Sequence, residues 1–209
     1  MEKKQKNFSR VYQLFPEPVY FSKLERPLTN KEVKIIGRYK EKTHRGVGNI
    51  TSDDTYVLEN KALKNLKEDL NERVLDYFNE VVCTSNLVTP YITQSWINYT
   101  GINQFHHRHH HANSYVSGVF YIDVKKGTDK LNFYRPATSS IRLEVAKHNA
   151  FNVEGLQYSV ENGDVVLFPS FLEHGVAIKK EPNTRISLSF NVFLSGIIGN
   201  EKSLSKLKV

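Results

Sequence analysis

The sequence has almost no cysteine and no long apolar run. Cys83 is the only cysteine, which excludes an intrachain disulfide and a zinc site built from several thiolates, and it favours a reducing cytoplasm. No apolar stretch approaches the roughly 20 residues that a membrane-spanning helix needs, and the basic first residues lead into no apolar signal-peptide segment. We therefore expect a cytoplasmic protein that has no membrane partner.

Acidic residues are also too few to balance the basic ones. The net charge is +7 at neutral pH, and the first fifty residues alone hold twelve Lys and Arg against five Asp and Glu. A basic N-terminal region can bind an anionic partner such as nucleic acid, but a solvated basic face explains the same charge. With 209 residues, 39% of them hydrophobic, the chain is long enough for one sizeable core.

Residues 1–90 are predicted to form an extended arm and two supporting helices, in one unit with the rest of the chain. Three prolines near the start favour an extended segment, whose apolar face would suit a homodimer. Asn30 is the expected N-cap of the first helix, which has Val33, Ile36 and Tyr39 on one side. The second helix, between about 60 and 81, has apolar residues at helical steps: Leu63, Leu66, Leu70, Val74, Tyr77 and Val81. The stretch THRGVGNITSDD between the helices is expected to be a loop.

Short alternating or β-branched runs dominate residues 91–197. They are YITQSWINYTG, YVSGVFYIDV, DKLNFYRP, LQYSVENGDVVLFPS and RISLSFNVFL. Helices followed by many strands of mostly antiparallel type are typical of a β-sandwich or jelly roll with helical support. Residues 91–197 are therefore predicted to form the β-sheet core, and residues 198–209 are predicted to be a basic, mobile tail.

A histidine-rich stretch, QFHHRHHHANSYVSGVFYIDV, holds five of the eight histidines. Side chains two residues apart on an extended segment point to the same side. One such set is His107, His109 and His111, and the opposite set is His106, Arg108 and His110. Three imidazoles in phase favour a metal site over isolated surface histidines.

A distant histidine, His174 in LFPSFLEHGV, is a candidate to complete that site. Two imidazoles close in sequence and one from a remote strand form the kind of metal site that leaves positions open for substrate, O2 or water. Neutral imidazole suits Fe, Zn, Cu and Ni alike, so the spacing leaves the metal open. It also leaves His107 with His109 as a rival to His109 with His111.

The segment RISLSFNV alternates strictly between polar and apolar residues. Its polar positions are Arg185, Ser187, Ser189 and Asn191. One face of this strand is therefore expected to pack in the core while the other lines a polar cavity. An arginine beside a serine can hold a carboxylate through charge-assisted hydrogen bonds; an edge strand with its polar face in water is the alternative.

Taken in order, these pieces resemble the 2-oxoglutarate/Fe(II) oxygenases with a double-stranded β-helix (jelly-roll) fold. The resemblance covers about residues 92–195. Its motifs are W-x-N from Trp96, H-x-H from His109, S-G-V-x-Y ending at Tyr121, G-D-x-V-x-F-P-S-x-L-x-H ending at His174, and R-x-S-x-S-F-N from Arg185. Such proteins also occur in phage genomes, so a phage-encoded chain would work in the host cytoplasm.

The resemblance implies two groups of site residues. His109, His111 and His174 would be the metal ligands and catalytic residues around Fe(II). Arg185 and Ser187 would bind the far carboxylate of the cosubstrate 2-oxoglutarate.

Two further residues, Tyr121 and Asn98, are candidates for the cofactor-binding wall of the cavity. The implied reaction converts 2-oxoglutarate to succinate and CO2 and hydroxylates a C–H bond of the substrate. The chain departs from the wider superfamily at His111, where a carboxylate is usual, and the nearest carboxylate downstream is Asp123. A site of three histidines would have one more positive charge than a site with a carboxylate.

Two alternatives remain open at this stage. The first is a cupin-like metalloenzyme that uses three histidines without 2-oxoglutarate. The second is a non-catalytic jelly-roll module whose basic N-terminal region binds nucleic acid or a partner protein. The substrate is also open: a protein side chain, a nucleic-acid base, a sugar and a small metabolite are all compatible with the sequence.

Overall fold

Two antiparallel sheets form most of the computed structural model, which describes residues 9–136 and 143–209. In chain order the strands are β1 (Tyr20–Lys23), β2 (Thr43–Arg45), β3 (Ile50–Ser52), β4 (Val88–Thr100), β5 (His106–His109), β6 (Val116–Asp123), β7 (Lys130–Tyr134), β8 (Gly155–Ser159), β9 (Asp164–Pro169), β10 (His174–Val176), β11 (Arg185–Ile198) and β12 (Leu207–Lys208). The larger sheet has the order β1-β9-β6-β11-β4-β3-β2, with β12 paired to β11, and the smaller sheet has the order β5-β10-β7-β8.

The N-cap of helix α1 (Asn30–Arg38) lies one residue earlier than the sequence predicted. The N-cap is Thr29, whose hydroxyl accepts from the Glu32 backbone N–H while the Glu32 carboxylate accepts from the Thr29 backbone N–H. This reciprocal capping box satisfies two N–H groups that the first turn leaves without partners. The prediction of Asn30 as the N-cap was therefore wrong, because Thr29 has the matching glutamate three residues later.

The buried side of α1 also differs from the prediction. Ile36 is buried, but Val33 is 54% exposed and Glu32 is only 2% exposed. Arg26 forms a bidentate pair with the Glu32 carboxylate, with two N–O distances of 2.8 Å. This pairing lets a charged residue take the buried position that apolar patterning assigned to valine.

Helix α2 (Lys64–Tyr77) confirms the second predicted helix. A short 3-10 turn (Lys61–Leu63) precedes it and a π-helical turn (Phe78–Val82) follows it. Five of the six apolar positions of the predicted face are at most 2% exposed, whereas Val81 in the π-turn is 37% exposed. The change of helical period at the π-turn rotates Val81 away from the core.

The stretch expected to be a loop after α1 is instead a hairpin. Strands β2 and β3 pair with each other, and β3 continues the larger sheet through pairing with β4. The turn depends on Gly48, which has a φ of +93°, a conformation that glycine adopts without steric strain. Three residues in each strand were too few for a sequence pattern to reveal.

The two faces of the larger sheet have different neighbours. On the outer face, the helices pack against side chains such as Ile97, Phe120 and Leu188 to form the main core. On the inner face, a second apolar cluster joins the two sheets and includes Tyr121 and Phe133. This arrangement is the predicted jelly roll with helical support, and it leaves a polar cavity between the sheets.

The C-terminal segment also differs from its prediction as a mobile tail, since β12 pairs with the end of β11. Within the part of the chain that the structure describes, we find no helix that is both long and apolar enough to cross a membrane.

Candidate active site

A β-bulge determines which histidines face the cavity. Val176 of β10 lies opposite His106, and His174 lies opposite His109. Two residue steps on β10 therefore match three on β5, so β5 contains one extra residue. Such a bulge interrupts the alternation of side chains and redirects them.

The interrupted alternation corrects the predicted grouping of the histidines. His106, His109, His111 and His174 all line the cavity, while His107 is exposed. The prediction that His106 lies in the opposite phase to His109 was therefore wrong.

Gly175 makes room for the bulge. A Cβ atom at this position would lie 2.9 Å from the carbonyl oxygen of His106 and 3.0 Å from that of His107. Both neighbours are backbone atoms that cannot rotate away. The glycine after His174 therefore allows β10 to approach the bulged strand closely.

Three imidazoles converge at one end of the cavity. His109 comes from β5, His111 from the turn after it, and His174 from the start of β10; their ligand atoms all lie within 4.8 Å of one another. The ring centroids of His109 and His174 are 4.4 Å apart, and those of His111 and His174 are 5.2 Å apart. This spacing allows one metal ion to contact all three rings.

Backbone carbonyls orient two of these rings. Nδ1 of His109 lies 2.8 Å from the carbonyl oxygen of His107, and Nδ1 of His174 lies 3.0 Å from that of Leu172. A carbonyl oxygen only accepts, so Nδ1 donates in both rings and Nε2 keeps its lone pair. This is the usual orientation of a metal-binding histidine, and the chain's residues therefore fit a metal ion.

The environment keeps the imidazoles neutral. Burial, aided by the neighbouring histidines, lowers the pKa of His111 to about 4 and that of His174 to about 3. Burial also lowers the pKa of His109. Neutral rings are the form that binds metals, since protonation occupies the lone pair.

His111 is supported by an aromatic neighbour. The indole of Trp96 stacks on its ring, with centroids 5.6 Å apart and an interplanar angle of 29°. The His111 backbone N–H donates to the carbonyl oxygen of Ser170 at 3.0 Å. The sequence indicated Trp96 only as the first residue of the W-x-N motif, and the spacing did not reveal its contact with His111.

A buried cation lies elsewhere in the same cavity. Arg185 is 2% exposed, and its guanidinium carbon lies 5.2 Å from the centre of the Tyr121 ring. Its Nη1 donates to the carbonyl oxygen of Lys130 at 3.0 Å. The Arg185 Nε and the Tyr121 hydroxyl are both buried without a hydrogen-bond partner in the part of the protein that the structure describes. Unpaired buried donors beside a cation fit an anionic ligand.

The remaining predicted residues flank this arginine. Ser187 lies opposite Asn98 of β4 and Tyr121 of β6, and all three line the cavity. The Asn98 side chain is already engaged, because its Oδ1 accepts from Asn49 and its Nδ2 donates to Ser189. Asn98 therefore holds the cavity wall in place through its neighbours.

One imidazole of the cavity was not among the residues predicted to line it, and no carboxylate of the described residues lies beside it. His106 faces the cavity near Arg185, and burial lowers its pKa to about 3. No Asp or Glu lines the cavity among residues 9–136 and 143–209. Asp123 is exposed. The metal candidates in this cavity are therefore all imidazoles.

Two sheets that enclose convergent imidazoles and a buried arginine define the class of double-stranded β-helix oxygenases. A family model described as "Putative 2OG-Fe(II) oxygenase" matches residues 94–191, the segment that carries the triad and the arginine. The resemblance stated from the motifs is thereby confirmed, because the matched segment is similar to the 2OG-Fe(II) oxygenases. The protein is an enzyme that depends on Fe(II) and 2-oxoglutarate.

Solved structures share the fold. An oxidoreductase of the 2OG-Fe(II) oxygenase family from Burkholderia pseudomallei is 13% identical, with 83% of each chain covered and a TM-score of 0.55. HygX from Streptomyces hygroscopicus, bound to nickel, 2-oxoglutarate and hygromycin B, is 13% identical over 84% of this chain and 82% of its own, with a TM-score of 0.53. The epimerase SnoN from nogalamycin biosynthesis is 11% identical over 85% of this chain and 78% of its own, with a TM-score of 0.55. At such identities the likeness shows the fold alone. The curated proteins contain no match.

Proposed function

We propose that this oxygenase hydroxylates a C–H bond of a substrate yet to be identified, and that His109, His111 and His174 hold its iron. The observation that carries the assignment is the convergence of the three ligand atoms within 4.8 Å. Bound Fe(II), together with 2-oxoglutarate and O2, supplies the oxidising power for the reaction. The protein positions the reactants and limits access of water.

Arg185 is the proposed anchor for the far carboxylate of 2-oxoglutarate. A guanidinium binds a carboxylate through parallel, charge-assisted hydrogen bonds, and the unpaired Nε of Arg185 is buried in the cavity. Burial raises the pKa of Tyr121 to about 12, so its hydroxyl keeps its proton at neutral pH and can donate to the same carboxylate. Ser187 is proposed to donate from the adjacent position of the sheet.

The charge of the site supports cooperative binding of metal and cosubstrate. Three neutral imidazoles leave the full charge of Fe(II) in place, and Arg185 adds another positive charge to the cavity. A dianionic cosubstrate offsets these charges. We therefore expect Fe(II) to bind more tightly when 2-oxoglutarate is present, and the reverse by the same factor.

The test is an anaerobic titration of Fe(II)-loaded protein with 2-oxoglutarate, followed through the weak visible metal-to-ligand charge-transfer band. The band is expected in the wild type and absent in Arg185→Ala. Arg108→Ala is the matched control, since Arg108 is exposed on β5 and pairs with Glu173 outside the cavity. It should keep the band.

The other outcomes separate the alternatives. Iron binding without a band in the wild type would contradict the cosubstrate assignment and support the three-histidine enzyme that works without 2-oxoglutarate. Failure to bind iron would contradict the ligand assignment. Salt-sensitive binding of nucleic acid by such metal-free protein would instead support a binding module.

The cytoplasmic location and the oligomeric state of the enzyme are also proposals. The single, exposed Cys83 is compatible with a cytoplasmic enzyme. A homodimer is a second proposal, which rests on the apolar residues of the N-terminal arm. Leu14 and Phe15 of that arm are 76% and 92% exposed. Sedimentation of the purified protein would give its oligomeric state.

A further inference from the structure

The bulge in β5 creates a second cluster of three imidazoles. Ligand atoms of His106, His107 and His109 also lie within 4.8 Å of one another. The ring centroids of His106 and His109 are 4.4 Å apart, and those of His107 and His109 are 4.8 Å apart. In a regular strand His106 and His107 would point to opposite faces. The extra residue of the bulge is what allows them to converge.

This cluster differs from the inner triad in its access to solvent. His107 is exposed and His106 is partly exposed, whereas His174 of the inner triad is 5% exposed. The strand that carries the cluster lies at the edge of the smaller sheet. The outer cluster therefore has one solvent-exposed ligand, His107, whereas the inner triad has none.

The donor set of the cluster favours particular metals. Three imidazole ligands bind Ni²⁺, Cu²⁺ and Zn²⁺ more strongly than Fe²⁺, following the general order of divalent metals with nitrogen ligands. We propose that His106, His107 and His109 form a second, outer site for such a transition-metal ion. This outer site competes with the inner site for His109.

The competition follows from the shared ring. His109 Nδ1 is engaged with the carbonyl oxygen of His107 at 2.8 Å, so Nε2 is the ring nitrogen available to a metal. One nitrogen lone pair binds one metal ion. An ion in the outer site therefore removes a ligand from the inner site, and the chain binds one ion at a time across the two sites.

The existence of the outer site is independent of the proposed function, whereas the competition rests on the proposed inner ligands. The test is a calorimetric titration with Ni²⁺ of metal-free protein that has no affinity tag. The wild type should bind one Ni²⁺ per chain. His174→Ala lacks an inner ligand and should still bind one Ni²⁺ through the outer site.

A second substitution then identifies the outer ligands. His174→Ala with His107→Ala should bind Ni²⁺ at least about tenfold more weakly than His174→Ala, since loss of even a supporting group costs metal sites about 10- to 100-fold. His174→Ala with His110→Ala is the matched control, because His110 is exposed in the same stretch but belongs to neither cluster. It should bind as His174→Ala does. Circular dichroism establishes that each variant is folded.

Three results would overturn the proposal. Loss of Ni²⁺ binding in folded His174→Ala would exclude the outer site. Equal binding by His174→Ala with and without His107→Ala would place the metal on other residues. Two Ni²⁺ per wild-type chain would exclude the competition. None of these results depends on the 2-oxoglutarate band, so they separate failure of this proposal from failure of the proposed function.

Discussion

The Arg185 guanidinium carbon lies 5.2 Å from the centre of the Tyr121 ring, and each side chain has a buried donor without a partner. We expect Tyr121→Phe to raise the dissociation constant of 2-oxoglutarate about fivefold, because one hydrogen bond of about 1 kcal/mol is lost. The thermal unfolding temperature should stay the same or rise, since an unpaired buried hydroxyl is removed. The anaerobic titration and a thermal melt measure the two effects.

A second tyrosine provides the opposite pattern as a control. The Tyr99 hydroxyl donates to the Ile36 carbonyl oxygen in the outer core, so Tyr99→Phe should lower stability and leave 2-oxoglutarate binding unchanged. If Tyr121→Phe bound 2-oxoglutarate as the wild type does, the Tyr121 hydroxyl would not be a ligand.

Gly175→Ala tests whether the bulge positions the metal ligands. The added Cβ would meet two carbonyl oxygens of β5 at 2.9 and 3.0 Å. We expect the strands to separate locally, with Fe(II) affinity falling about 10- to 100-fold and stability by about 1–3 kcal/mol. Metal titration and chemical denaturation measure these changes.

Gly37→Ala is the matched control, since no atom outside its own helix lies within 4 Å of the added Cβ. Alanine in the exposed part of a helix should stabilise the protein by up to about 1 kcal/mol and leave metal affinity alone. Unchanged metal binding by Gly175→Ala would mean that the ligands do not depend on the bulge.

Trp96 is expected to hold His111 in its metal-binding orientation. Removal of the stacked indole in Trp96→Ala should lower Fe(II) affinity about tenfold, in the range found for groups that support metal ligands. Trp96→Phe keeps an aromatic face against the imidazole and should retain most of the affinity. Equal affinities for the two variants would show that stacking does not position His111.

Glu32 should make folding stability sensitive to acid. Burial raises the pKa of its carboxyl, but hydrogen bonds from Arg26 and Thr29 outweigh burial and lower the pKa below 4.5. Between the two pKa values the unfolded chain binds more protons than the folded chain, so stability falls as pH drops below about 4.5. Above this pH the full contribution is present.

Glu32→Gln removes the charge and should destabilise the protein at pH 7 by about 1–3 kcal/mol. Between pH 7 and pH 3 this variant should lose less stability than the wild type does. Glu68→Gln is the control, because the Lys64–Glu68 pair is exposed and such pairs contribute about 1 kcal/mol or less. Urea unfolding from pH 3 to 7 measures both. An identical pH profile for Glu32→Gln and the wild type would contradict the assignment.

The fold was predictable where a pattern repeats over many residues. The apolar positions from Leu63 to Tyr77 revealed α2, and the alternation from Arg185 onward revealed which side of β11 faces the cavity. Strands β2 and β3 are too short to show a period. Glu32 has the burial of an apolar residue because Arg26 pairs with it, and a pairing across six residues in a turn leaves no periodic signal.

The candidate site was predictable in composition and only partly in geometry. His109, His111, His174 and Arg185 do meet in one cavity, as the motifs implied. The position of His106 depends on an extra residue in β5, and a bulge is defined by the partner strand that it opposes. One sequence contains no information on that register.

The inner triad also joins two strands of the smaller sheet. Strand β5 has β10 as its single neighbour among the described strands, while His109 lies on β5 and His174 on β10. An ion bound by both strands would link β5 to β10 and stabilise their pairing. Loading with metal should therefore slow deuterium exchange at the β5 and β10 amides. Release of the ion is then coupled to fraying of the edge strand, and the rate of metal loss reports on the local opening of the sheet.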